Sequence, residues 1–83
     1  MIFHEKKVLV LGSGETGISM VKWLSYLGAH LSLADSRANP PNPNFLDDFI
    51  PHQKRFFGHF DLNLLENIDA IAISPGVPLA EAF

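Results

Sequence analysis

The chain contains no cysteine, so neither a disulfide framework nor thiolate chemistry is available to it. Positive charge is scarce. Six Lys+Arg stand against nine Asp+Glu, a formal net charge of −3, which argues against general affinity for nucleic acid. A small anionic ligand is still compatible with that balance, because backbone N–H groups bind phosphate without help from Lys or Arg. Long apolar runs are missing too. The run near the start, Val8 to Leu11, falls far short of a signal-peptide core or a membrane span. A cytoplasmic protein with no membrane partner is therefore the default expectation. The loop G-x-x-x-x-G-K-[ST], which cradles ATP in P-loop enzymes, does not occur. With 83 residues, 47% of them hydrophobic, and no repeat or low-complexity tract, the chain is expected to form one small globular domain over 1–83.

What is present is an alternation of strand and helix patterns. "KVLVLG" is a short apolar run closed by glycine, suited to a strand buried on both faces. In "ETGISMVKWLSYLG" the period changes: Ile18, Val21, Leu24 and Leu27 recur at near-helical spacing, with Met20 and Trp23 expected to widen the core-facing side. Gly28 supplies the helix stop. "AHLSLAD" reads as a second strand ending at Asp35. "SRANPPNPN" is loop, since three prolines join neither helix nor ladder. A short helical piece follows in "NFLDDFI", with Asn44 as N-cap and Pro51 as stop, then a third strand in "KRFFG". "DLNLLENI" predicts a helical turn or two capped by Asp61, with Leu62, Leu65 and Ile68 inward, and "DAIAIS" predicts a fourth strand closed by "PGVP". This order implies an α/β domain: a Rossmann-like parallel sheet with strand order 3-2-1-4 and helices on both faces. Such a sheet normally continues, so "PLAEAF" is expected to be a cut before a fifth strand.

The stretch "LVLGSGETGI" carries Gly12, Gly14 and Gly17 between a strand and a helix. In that setting Gly12 permits the turn, Gly14 lets a phosphate approach the backbone, and Gly17 lets helix and sheet pack closely. The N–H groups of Glu15, Thr16 and Gly17 then lie at the positive end of the helix dipole and favour an anion. A tight turn without a ligand is the plain alternative. Asp35, 18 positions after Gly17, suits the ribose of NAD, which would make this the cofactor domain of an oxidoreductase. "DSR" at 35–37 and "SPG" at 74–76 are expected to converge on the same sheet edge, and they leave the nicotinamide assignment incomplete. A regulatory nucleotide-sensing module with the same fold is a third, non-catalytic possibility.

"VLGSGETG", followed by "ADSR" and "IAISPGVP", resembles the N-terminal domain of the Mur ligases, over Val8 to about Pro78. The resemblance implies a domain that holds the uridine diphosphate of UDP-N-acetylmuramoyl-L-alanine in cytoplasmic peptidoglycan synthesis. In the complete enzymes, ATP and Mg²⁺ activate a muramoyl carboxylate as an acyl phosphate, which the amine of D-glutamate attacks. Those activities belong to the central and C-terminal domains, so the resemblance implies no catalytic residue, cofactor or metal ligand in these 83 residues. It implies instead that Gly14, Glu15, Thr16 and Gly17 face the diphosphate. Asp35 would accept from the uracil imide N–H, Ser36 and Arg37 would complete the base pocket, and Gly76, after Ser74 and Pro75, would approach the diphosphate or sugar. Position 15 is often apolar in the family. The Glu15 carboxylate would repel a diphosphate, so its side chain is expected to turn to solvent and leave only its backbone in the site.

The other polar residues read as ordinary. The four histidines, 4, 30, 52 and 59, lack metal-ligand spacing. "KRFFGHF" suits a strand burying one or both of Phe56 and Phe57 better than a base-stacking surface, because the surrounding charge is not basic. Asp47 and Asp48 are adjacent and point apart on a helix, so they form no carboxylate pair, and Ser74 lacks the setting of a nucleophile.

Overall fold

Valines and leucines in an unbroken run need cover on both faces, and the chain provides it by placing them centrally. The computed structural model describes residues 3–39, 44–58 and 61–73. It contains β1 (Lys7–Leu11), α1 (Glu15–Tyr26), β2 (His30–Asp35), β3 (Arg55–Phe57) and β4 (Ala70–Ile73). Two 3₁₀ turns, Phe45–Asp48 and Leu62–Leu65, stand where the sequence predicts the shorter helices, and a third, His52–Lys54, follows Pro51 where none is predicted. The strands form one parallel sheet in the order β3-β2-β1-β4, as the alternation of patterns implies. Leu11 pairs with Ala34 on one side and Ile73 on the other. Flanked on both edges, Val8, Leu9, Val10 and Leu11 are all essentially inaccessible to solvent.

One face of the sheet packs Val8, Val10, Leu31 and Leu33 against Val21 and Leu24 of α1 and against Leu46 and Ile50. The other face packs Leu9, Leu11 and Ala34 against Leu64, Leu65 and Ile68. Two expected contacts fail. Trp23 is 58% exposed, because it lies about 130° round the helix from the Gly17–Val21–Leu24 stripe at roughly 100° per residue. Its ring forms a T-shaped pair with Phe3, at 6.1 Å between ring centroids. Leu62 is 64% exposed, and Leu64 takes its place. A single 3₁₀ turn presents just one short side to a flat sheet, and Leu64 with Leu65 fills it.

Local chemistry fixes the joints. Helix α1 ends in a Schellman motif: Ala29 N–H donates to Leu24 O, Gly28 N–H donates to Ser25 O, and Gly28 has φ +83°. Asp61 caps its turn by accepting from Asn63 N–H, as the sequence suggests. Asn44 occupies the N-cap position of the Phe45–Asp48 turn, but its side chain makes no capping bond. That segment is instead held by Arg55, whose Nε and Nη2 donate to Ile50 O at 2.8 and 2.6 Å and whose Nη2 reaches Asp47 at 2.9 Å. No helix among the described residues is long and apolar enough to cross a membrane.

Candidate functional site

The carboxyl end of β1 runs into the glycine loop, and the three glycines there are unequal. Gly12 has φ +96°, which L side chains rarely adopt. A Cβ built on Gly17 would run into the Gly12 carbonyl oxygen, so helix and loop approach this closely only with glycine at 17. Gly14 is different: its backbone is extended, and a Cβ there would meet nothing within 4 Å. Backbone conformation and close packing thus require glycine at 12 and 17 but not at 14. Gly14 at the N-cap offers no side-chain acceptor to α1, and among the described residues no side chain caps its first-turn N–H groups. Glu15 and Thr16, in that turn, are both exposed.

Asp35 ends β2 beside this loop, since Gly12 N–H donates to Ala34 O and extends the β1–β2 register by one step. Its carboxylate is buried at 2% exposure and fully engaged. Oδ2 accepts from Ser13 N–H at 2.9 Å, Ser13 Oγ–H at 2.7 Å and Arg37 Nη2 at 2.7 Å. Oδ1 accepts from the backbone N–H and the Nε of Arg37, both at 2.9 Å. Burial pushes the Asp35 pKa upward, but the Arg37 side chain, Ser13 and the two backbone donors outweigh it. The carboxyl is held well below the usual carboxylate range. The same contact raises the pKa of Arg37, whose side chain stays half exposed.

Residues 14–17 and 35–37 are therefore brought together at the carboxyl ends of the strands, where ligands of open parallel sheets sit. Ser36 and Arg37 are exposed there. Ser74, Pro75 and Gly76 follow β4, whose last residue Ile73 is level with Leu11, and lie outside the described residues. Ser13 was not legible as a site residue, because the position between two glycines carries no required chemistry in the motif. Only the β1–β2 register puts its hydroxyl on Asp35. A groove of about 440 Å³ lies elsewhere, lined by Lys7, His30, Ser32, Phe56 and Leu64. Lys7 and His30 begin their strands, so this groove opens at the amino ends, away from the glycine loop.

Fold and loop together define a Rossmann-like α/β domain with a glycine-rich turn from its first strand into its first helix. Residues 6–83 match the family model "Mur ligase MurD-like, N-terminal domain", and the chain belongs to that family. It is 56% identical over 81 residues to the UDP-N-acetylmuramoylalanine–D-glutamate ligases of Nitrosomonas eutropha and Nitrosomonas europaea, covering 98% of this chain. The corresponding enzyme of Thiobacillus denitrificans is 47% identical over 76 residues, 92% of the chain. The chain spans about 17% of the length of the two Nitrosomonas relatives.

Proposed function

We propose that this chain is the UDP-binding first domain of a cytoplasmic ligase that adds D-glutamate to UDP-N-acetylmuramoyl-L-alanine. The observation that carries this reading is the meeting of two chemistries at one sheet edge. An uncapped helix N-terminus, with a glycine at 14 that packing does not require, lies beside a buried anionic carboxylate at 35. The N–H groups of residues 14–17 suit a diphosphate, whose charge the helix dipole favours. Asp35 suits a base with an N–H on its edge, such as uracil. Ser36 and Arg37 flank the base, and Ser74, Pro75 and Gly76 complete the diphosphate or sugar side.

Because all the acceptor capacity of Asp35 is engaged, a ligand N–H enters by exchange. Arg37 is the partner that yields, being half exposed and on a flexible side chain, and its guanidinium is then free to lie over the base.

The ligase reaction draws on ATP and Mg²⁺, which this reading assigns to the central and C-terminal domains of the enzyme; the P-loop pattern does not occur in these 83 residues. The domain's part is to bind and orient the uridine nucleotide end of the substrate, and alone it catalyses nothing. Titration calorimetry of the full-length protein tests this. UDP and UMP should bind and NAD should not, whereas binding of NAD in preference to UDP would overturn the assignment.

A further inference from the structure

Ser13 is completely buried, and both of its donors, N–H and Oγ–H, end on Oδ2 of Asp35. Among the described residues, every other donor to that carboxylate comes from Arg37. A carboxylate offers about four lone-pair sites, and five donors crowd this one. When the Arg37 fork swings away, Ser13 still grips Oδ2 and fixes the plane of the carboxylate. Oδ1 then keeps only the Arg37 backbone N–H and has a site free for a ligand donor. Without the hydroxyl, a single loop N–H holds Oδ2 and the carboxylate can turn about its own bond.

We propose that Ser13 is a positioning residue that sets the preference of this domain for a base bearing an imide N–H, by holding Asp35 in the orientation that accepts it. The inference rests on the uridine nucleotide reading above. It adds a residue from the glycine loop to base recognition, so that the loop serves both ends of the nucleotide.

The test compares UMP with N3-methyl-UMP, which lacks the N–H, on full-length wild type, Ser13→Ala and Ser13→Cys, with thermal melting of each protein as a check on folding. Wild type should prefer UMP by more than about tenfold, the scale of a hydrogen bond to a charged group. In Ser13→Ala that preference should shrink by about tenfold, through loss of UMP affinity with little change for the methylated nucleotide. A purely structural role would lower both affinities together and leave the ratio intact, and that result overturns the proposal. Ser13→Cys keeps the bulk with a weaker donor and should fall between the two. If Ser13→Ala does not fold, an unchanged ratio in Ser13→Cys overturns the proposal instead. Failure of wild type to bind UMP would overturn the uridine reading and this inference with it. Discrimination that persists undiminished in the variants would remove Ser13 alone.

Discussion

Gly14 and Gly17 stand three residues apart in one loop, yet alanine at each should do opposite things. At Gly17 the new Cβ meets the Gly12 carbonyl, a backbone atom that cannot rotate away. Helix α1 must then lift, and with it Val21 and Leu24, both buried against the sheet. Overpacking of this kind costs about 1–3 kcal/mol, with backbone collisions at the upper end, while alanine returns only about 1 kcal/mol of helix propensity. A net loss of about 2 kcal/mol lowers the melting temperature of a domain this size by roughly 10 °C. At Gly14 the added methyl enters open space on an extended backbone. Alanine is a poorer N-cap by about 1 kcal/mol, but it stiffens the unfolded chain by about 0.4–1 kcal/mol, so stability barely moves. The same methyl would stand where the proposed diphosphate approaches, and UDP affinity should fall about tenfold or more, roughly 1.4 kcal/mol. Circular dichroism melts and UDP titrations on both variants check the pair. Equal losses of stability, or a Gly14→Ala protein with full UDP affinity, would refute the separate roles given to the two glycines.

Asp35 makes stability depend on pH in a defined direction. Its folded pKa is depressed, so its stabilisation is fully present above the unfolded value of about 3.9 and is lost as pH falls through the lower folded value. Urea melts of wild type and Asp35→Asn should therefore differ most near neutrality and converge below about pH 4, where the unfolded carboxyl takes up a proton. A gap of constant size down to pH 2 would contradict this. Arg55→Ala should cost about 2–3 kcal/mol, because it strips two charge-assisted donors from the Ile50 carbonyl. Arg55→Lys should recover only part of that loss, since lysine lacks the planar fork. Denaturant midpoints of both variants decide it.

The sheet was legible because a parallel strand advertises itself. Val8 to Leu11 needs cover on both faces, and the glycines at 12 and 28 fall where the backbone turns left-handed. Helix faces were less legible. Counting apolar residues in α1 enlists Trp23, although the stripe set by Gly17, Val21 and Leu24 turns it outward. The shorter helices appear as 3₁₀ turns, and Asn44 does not cap its turn, because Arg55, from a strand five to eight residues beyond Ile50 and Asp47, holds that segment. At the candidate site, Asp35 and Arg37 were visible as residues but their mutual grip was not. That grip is local, two residues apart, whereas the role of Ser13 depends on the β1–β2 register bringing a side chain 22 positions away onto the buried carboxylate.

In the proposed complex a uridine nucleotide lies across the carboxyl edge of the sheet, with its phosphates at the N-terminus of α1 and its base at Asp35. Amide NMR of the 83-residue chain titrated with UMP tests it most directly. Shifts are expected at residues 14–17, 35–37 and 74–76, together with Ser13, and none with NAD. Shifts confined to the groove at Lys7, His30 and Phe56, or produced by NAD and not by UMP, would contradict it.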